Sequence, residues 1–302
     1  MSRPPRFLVL GASGLIGRNL STCLAPENAV MTYASTPFAG GVSFNPLTQR
    51  LKDLGRDARA CTHALILFAD SKPDSCFANP ARSQQINVDC LRTLATDLLD
   101  AGIAPVFTST EFVFAGSGGN YRETDPADPV LLYGRQKQAA ENLLTSLDPS
   151  VLILRLAKCF GSEPQDGTIF THWLGQLSRG VTHLACASDQ IFSPLHATEA
   201  ARALLAAATA GLAGIYHLAG RRPWSRLALL ELLLAEVRRH TPVDLTVQPC
   251  SLHDFNLPEP RPLNVSLCTD KLRATGCLQT APLATHCATI VAKWLETAPV
   301  LR

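Results

Sequence analysis

The sequence lacks the features of a membrane protein or a nucleic-acid-binding protein. It has no uninterrupted apolar run of about 18 residues, the length that crosses a bilayer. Its 27 Lys and Arg residues nearly balance 25 Asp and Glu residues, the net charge is +2, and no basic run stands out. We therefore expect neither a membrane nor a nucleic acid as a partner. The N-terminal segment lacks the small-residue cleavage site of a signal peptide, and removal of residues 7–17 would destroy the first strand and its glycine turn, so we expect a cytoplasmic protein.

Paired-cysteine motifs are also missing. The ten cysteines are scattered, with no Cys-x-x-Cys and no cysteine–histidine spacing typical of zinc. A chain of 302 residues that is 46% hydrophobic can build a sizeable core without disulfides. We expect reduced cysteines that pack as small core side chains, and no metal site.

Short apolar runs that alternate with helical patterns predict the fold. Runs such as Phe7 to Leu10 are typical of buried parallel strands, and the pattern over 132–147 predicts a helix. Further strands are predicted at 29–33, 64–69, 105–110, 151–156 and 215–218, and a long helix at 82–101. This alternation predicts an α/β fold with a Rossmann-type doubly wound parallel sheet.

The pattern loosens after residue 160. We predict a dinucleotide-binding domain over 1–160, with 193–220 returning to its sheet. The segments 161–192 and 221–302 are predicted to form a smaller C-terminal substrate-binding lobe.

A glycine-rich turn follows the first strand and indicates a dinucleotide site. Gly11, Gly14 and Gly17 would permit a tight turn and a close approach of a pyrophosphate to the backbone, although a tight turn alone can also use such glycines. The predicted cofactor contacts are Gly11, Ser13, Gly14, Leu15, Ile16, Gly17, Arg18, Ser35, Ala69 and Lys137.

The end of the second strand bears on the choice of cofactor. NAD enzymes usually carry Asp or Glu there to bind the adenosine ribose, and the segment 31–36 has no carboxylate. The missing acid favours the 2′-phosphate of NADP, with Arg18, directly after the last loop glycine, and Ser35 or Thr36 as its donors. NAD as the cofactor, and Arg18 as a solvated helix residue, stay open as alternatives.

Tyr133 and Lys137 lie one helical turn apart, on the same face. The lysine ammonium should lower the pKa of the phenol from its usual value of about 10, so that the hydroxyl can transfer a proton. Ser109 and Thr110 end a strand, at the edge where ligands of open parallel sheets bind. Glu111 follows as a second proton donor or a loop charge.

Together these segments resemble the extended short-chain dehydrogenase/reductases, and within them the dTDP-4-dehydrorhamnose reductase family. Gly-Ala-Ser-Gly-Leu-Ile-Gly-Arg at 11–18 matches the cofactor loop, and Ser-Thr-Glu-Phe-Val-Phe at 109–114 resembles the family's Ser-Thr-Asp-Tyr-Val-Phe. Arg-Pro-Leu-Asn-Val-Ser-Leu at 261–267 is similar to its Arg-Pro-x-Asn-Ser-x-Leu, with one inserted residue.

The resemblance implies NADPH-dependent reduction of a 4-keto group on a nucleotide-linked deoxysugar, as in dTDP-rhamnose biosynthesis. It makes Thr110, Tyr133 and Lys137 the catalytic set, gives Asn87 a conformational role, and leaves a homodimer open. The predicted substrate contacts are Ser109, Glu111, Lys158 and Arg261. The planar guanidinium of Arg261 would suit a diphosphate.

Two departures from the family, and one alternative function, accompany this resemblance. Lys158 stands where the family often has an aromatic residue. Lys-Pro-Asp-Ser-Cys at 72–76 replaces the family's Asp-Lys-Ala-Glu, whose acidic residues support metal-linked dimers in some members, so we predict no metal. The same family contains the regulatory β subunit of methionine adenosyltransferase, which binds NADP and acts as a partner protein. A non-catalytic regulatory subunit is therefore the alternative to a reductase.

Overall fold

The computed structural model describes residues 5–297 and is built around a seven-stranded sheet. Across the sheet the strands are β11 (Gly214–Leu218), β6 (Leu152–Leu156), β5 (Ala104–Thr110), β4 (His63–Ile66), β1 (Phe7–Leu10), β2 (Ala29–Tyr33) and β3 (Val42–Ser43). Every neighbouring pair is parallel. This topology confirms the predicted Rossmann-type α/β fold, including the late strand that returns to the sheet edge.

Helices connect these strands and continue into the second half of the chain. They are α1 (Leu15–Ser21), α2 (Gly55–Arg59), α3 (Pro73–Ala78), α4 (Pro80–Gln84), α5 (Cys90–Asp100), α6 (Leu132–Leu147), α7 (Ile169–Ser178), α8 (Ala197–Thr209), α9 (Arg226–Arg238), α10 (Asp270–Ala274) and α11 (Leu283–Thr297). Within residues 5–297 no helix combines the length and apolarity needed to cross a bilayer.

Three small sheets, which the sequence pattern did not reveal, complete the described chain. They pair β7 (Cys159–Phe160) with β10 (Leu195–His196), β8 (His183–Ala187) with β13 (Thr246–Cys250), and β9 (Ile191–Phe192) with β12 (Trp224–Ser225). Strands of two to five residues with mixed polarity give too little periodicity to be recognised from sequence.

Alternating side chains of the central strands build a core on each face of the sheet. Leu8 and Leu10 face α5 and α6, whereas Phe7 and Val9 pack with α1 and α8. Six of the ten cysteines are buried, as expected for small core residues.

A further core lies outside the sheet and is formed mainly by α7, α9 and α11. Phe160, Trp173 and Trp294 are among its buried members. Leu272 and Leu278, however, pack with the sheet helices although they come late in the chain. The division of the chain into two domains stays a prediction.

The long helix predicted at 82–101 is interrupted. The chain forms α4, then a π-helical turn at Gln85–Asp89, and then α5. The buried Asn87 lies in this turn, where its amide satisfies several buried polar groups. A π turn widens the helix locally and is common at functional sites, but it leaves no signal in the hydrophobic pattern.

A buried ion pair fastens α6 to the sheet. Arg155 of β6 donates to both carboxylate oxygens of Glu141 of α6, at 2.7 and 3.0 Å, and the two side chains are only 5% and 4% exposed. The guanidinium also lies 5.1 Å from the ring centre of Phe114.

Removing one partner of this pair should destabilise the protein strongly. Glu141→Ala leaves the buried guanidinium uncompensated, which typically costs about 3–5 kcal/mol of unfolding free energy. The double variant Glu141→Leu/Arg155→Met should lose less, because no buried charge is left over. Urea unfolding measures both, and a Glu141→Ala midpoint equal to that of the parent would contradict this account.

Candidate active site

A cleft of about 700 Å³ runs along the carboxyl ends of the central strands. Most of the predicted site residues line it, namely Gly11, Ser13, Gly14, Leu15, Ile16, Gly17, Ser35, Ala69, Ser109, Thr110, Glu111, Tyr133, Lys137 and Lys158. The structure therefore brings together residues that are up to about half the chain apart in sequence.

Some lining residues were not predicted from the sequence. Asn45, Asp70, Arg82, Phe112 and Cys159 also line the cleft. Asp70 directly follows the predicted strand 64–69, and this position at a strand end was the available signal for it. Phe112 belongs to the segment 109–114 that resembles the family motif. Arg82 of α4, Cys159 of β7 and Asn45 of a loop stand in no recognisable sequence pattern.

The three loop glycines have different physical roles. Gly11 has φ +101°, and a Cβ at Gly17 would lie 2.5 Å from the Cα of Ala12, so the fold itself requires both glycines. At Gly14 an added Cβ would meet only the Gly11 carbonyl oxygen, at 3.4 Å. The small size of Gly14 thus leaves space in the cleft beside the first N–H groups of α1, which a phosphate group would fit.

Arg18 does not line the cleft. Its guanidinium donates to the Ser13 carbonyl oxygen and to Asp166 Oδ1, both at 2.8 Å. It thereby ties the glycine loop to a segment about 150 residues away in sequence. A contact of Arg18 with a 2′-phosphate stays a prediction. To make this contact, the guanidinium would have to leave Asp166.

Tyr133 and Lys137 are both buried in α6, and burial controls their pKa values. Desolvation first, and the Glu111 charge second, raise the pKa of Tyr133 above its ordinary value. Desolvation lowers the pKa of Lys137 to about 7, against an opposing effect of Glu141. The expected lowering of the Tyr133 pKa by lysine is therefore not seen, because the loss of water on burial outweighs any effect of the neighbouring ammonium.

The Lys137 ammonium is held away from bulk water. Its Nζ donates to the Thr108 carbonyl oxygen at 2.6 Å and lies 3.9 Å from the centre of the Phe107 ring. Both groups belong to β5, so α6 and β5 together fix the lysine beside the tyrosine.

Thr110 and Glu111 form a buried hydrogen-bonded pair at the end of β5. The Thr110 hydroxyl donates to Glu111 Oε2 at 3.0 Å, and Glu111 is only 4% exposed. Burial raises the pKa of Glu111 to about 7, while Lys158 and the Thr110 hydrogen bond oppose this rise. Glu111 is thus not a solvated loop charge. The neighbouring Ser109 hydroxyl is buried and has no hydrogen-bond partner among the described residues.

The two predicted cationic substrate contacts lie in different settings. Lys158 is open to solvent within the cleft, yet the surrounding protein lowers its pKa by desolvation, with Glu111 opposing. Arg261 does not line the cleft. Its largely buried side chain pairs with Asp74 of α3 and donates to the Glu259 carbonyl oxygen at 3.4 Å.

Asn87 joins the cleft wall to α6. Its Oδ1 accepts from the Asp70 backbone N–H, and its Nδ2 donates to Gln136 Oε1, both at 2.8 Å. Gln136 in turn donates to the Ser83 hydroxyl at 2.8 Å. The π turn thus positions one amide that holds both Asp70 and α6.

The comparison with protein families decides the class of this protein. The sequence profile of the family described as RmlD substrate binding domain matches residues 5–295. The chain belongs to this family. This confirms the resemblance to the extended short-chain dehydrogenase/reductases of the RmlD type.

Relatives of this RmlD-family chain carry one recurrent name. A dTDP-4-dehydrorhamnose reductase from Streptomyces griseus is 31% identical over 234 residues, covering 74% of each chain. One from Shigella flexneri is 28% identical over 289 residues, covering 90% of this chain and 92% of that protein.

Solved structures share the fold. A hypothetical dTDP-4-dehydrorhamnose reductase from Sulfolobus tokodaii has a TM-score of 0.78 and 25% identity, and covers 92% of this chain and 98% of that one. The Bacillus anthracis dTDP-4-dehydrorhamnose reductase in complex with NADP has a TM-score of 0.80 at 20% identity, covering 97% and 100% of the two chains.

The raised pKa of Glu111 predicts a pH-dependent stability. Because the folded-state value of about 7 exceeds the ordinary value of 4.5, the stabilising contribution is full below pH 4.5 and is lost as the pH rises through 7. At pH 8 the ionised, buried Glu111 carboxylate should lower the free energy of unfolding by roughly 3 kcal/mol. Glu111→Gln should therefore raise the urea midpoint at pH 8 much more than at pH 5. An equal change at both pH values would refute this assignment.

Proposed function

We propose that this chain reduces the 4-keto group of a nucleotide-linked 6-deoxy sugar with NADPH. It is an oxidoreductase of the RmlD type. The observation that carries the proposal is the convergence of Thr110, Tyr133 and Lys137 with the glycine loop in one cleft. The relatives named dTDP-4-dehydrorhamnose reductase, and the NADP named in one neighbour's complex, support the choice of substrate and cofactor.

The cofactor half of the cleft fits a dinucleotide. The loop from Gly11 to Gly17 would hold the pyrophosphate, and Ser35 would face the adenosine ribose at a strand end without a carboxylate. Ala69 and Lys137 would border the nicotinamide half. Bound NADPH supplies a hydride to the sugar carbonyl carbon.

The side chains around the carbonyl divide the remaining chemistry among them. The raised pKa keeps Tyr133 protonated at neutral pH, so that its hydroxyl can donate a proton to the carbonyl oxygen. The Thr110 hydroxyl, which donates to Glu111, would turn its hydrogen to Tyr133 to favour the phenolate that is left after this transfer. Ser109 offers an unpaired hydroxyl that can orient the carbonyl.

The substrate half would hold the nucleotide diphosphate and the sugar. Arg261 is proposed to turn its planar fork to the diphosphate, in exchange for its pairing with Asp74. Lys158 would lie beside the sugar, where its cation replaces the aromatic surface common in the family. The cytoplasmic location and the homodimer stay predictions from the sequence.

A panel of 4-keto nucleotide sugars, assayed by the loss of NADPH absorbance, tests the proposal. We expect turnover of at least one member of the panel. If NADPH binds but no member of the panel is reduced, the reductase proposal fails and the regulatory-subunit alternative gains weight.

Tyr133→Phe should remove the proton donor while keeping the shape of the site. The rate of reduction should fall by about 10²–10⁴-fold. The affinity for NADPH, measured by fluorescence titration, should hardly change. Tyr216→Phe, which alters a tyrosine of β11 outside the cleft, is the matched control and should keep its activity. Full turnover by Tyr133→Phe would show that another group donates the proton.

Gly14→Ala should weaken NADPH binding without unfolding the protein, because the added methyl meets no backbone closer than 3.4 Å. We expect a loss of about tenfold or more, roughly 1.4 kcal/mol. Gly17→Ala, by contrast, should lower the melting temperature, because its methyl would overlap the Ala12 backbone. Unchanged NADPH affinity in Gly14→Ala would place the pyrophosphate elsewhere, and tighter binding of NADH would reverse the cofactor choice.

A further inference from the structure

The start of the catalytic helix is capped from a distant part of the chain. The backbone N–H of Leu132, the first residue of α6, donates to Glu259 Oε1 at 2.9 Å. Leu131, the residue at the N-cap position, has no side chain that could accept such a bond. Glu259 thus satisfies one of the N–H groups that every helix leaves unpaired at its start, and its negative charge suits the positive end of the helix.

The capping carboxylate is removed from water. Glu259 is 5% exposed, and its Oε2 is buried with no hydrogen-bond partner among the described residues. Arg135, one turn into α6, lies 3.6 Å from Oε1 but is itself about half exposed. Burying a carboxylate with so few partners is unfavourable. Glu259 therefore lowers the stability of the fold in a way that an exposed helix cap would not.

The segment that carries Glu259 is restricted by prolines and also contains Arg261. Pro258 and Pro260 flank the glutamate and restrict its backbone on both sides. Arg261, proposed to bind the diphosphate, follows two residues later and donates to the Glu259 carbonyl oxygen. The helix cap and the diphosphate ligand therefore belong to one short rigid unit.

Tyr133 is the residue that this unit can position. It is the second residue of α6, next to the capped Leu132, in the turn where helices fray. Because a misplacement of about 1 Å can cost about 10²-fold in rate, the orientation of this first turn matters for proton transfer.

We propose that Glu259 is a positioning residue for Tyr133, and that the segment 258–262 couples the hold of Arg261 on the diphosphate to the placement of the proton donor. This inference rests on the proposed reductase function. It adds a residue outside the catalytic set that should affect kcat rather than the binding of NADPH.

Three variants of Glu259 test the inference. Glu259→Ala removes the acceptor, Glu259→Gln keeps an acceptor oxygen at the same reach, and Glu259→Asp keeps the charge but withdraws it by one methylene. Glu236→Ala, which removes a mostly buried carboxylate of α9 far from α6 in sequence, is the matched control. For each variant kcat, KM, NADPH affinity and melting temperature are measured, with assays run where all variants are folded.

Glu259→Ala should lower kcat by about 10- to 100-fold, with NADPH affinity unchanged. Glu259→Gln should stay within about threefold of the parent, because its amide oxygen still accepts from Leu132. Glu236→Ala should keep the parent's kcat. If Glu259→Ala does not fold, Glu259→Asp must show the loss of kcat instead.

The opposing outcomes are distinct. Glu259 would be a purely structural cap if Glu259→Ala had a lowered melting temperature but the parent's kcat. The same holds for Glu259→Asp, if Glu259→Ala does not fold. Glu259→Gln as slow as Glu259→Ala would likewise overturn the positioning role. Absence of turnover in the parent protein itself would instead refute the proposed function on which the inference rests.

Discussion

Helix α6 carries buried polar side chains that it cannot satisfy by itself, and the structure around the cleft depends on this constraint. Lys137 needs the Thr108 carbonyl, Gln136 needs Asn87 and Ser83, and Glu141 needs Arg155. Each partner comes from a different element, so the helix can take only one register against the sheet and the π turn. Leaving a buried polar group unpaired destabilises a protein by more than its hydrogen bond stabilises it. Any other register of α6 would leave such groups unpaired and is therefore disfavoured.

The same burial sets the chemistry of the cleft. Removal from water raises the pKa of Tyr133, and brings those of Lys137 and Glu111 to about 7 from opposite directions. A protonated phenol therefore lies near two groups that can exchange protons at neutral pH. In the proposed reduction the phenol is the proton donor, and its protonated state arises from burial more than from attraction between neighbouring charges.

Much of the fold and of the site could be predicted from local sequence. The apolar run before Gly11, the glycine spacing and the turn between Tyr133 and Lys137 are short-range patterns, and each predicts its own surroundings. The π turn at Asn87, the pairing of Arg18 with Asp166 and the cap from Glu259 depend on contacts between residues far apart in the chain. Neither these contacts nor the desolvation that reverses the expected pKa shift of Tyr133 has a counterpart in residue spacing.

We propose that a nucleotide-linked 4-keto sugar receives a hydride from NADPH in this cleft. The most direct measurement uses NADPH labelled with deuterium at the transferable position of nicotinamide C4, and a dTDP-4-keto-6-deoxy sugar. We expect one deuterium at sugar C4 in the product, seen by mass spectrometry and located by NMR. A protein that binds NADPH but leaves the sugar unlabelled, or a label at another carbon, would refute hydride transfer to the 4-keto group.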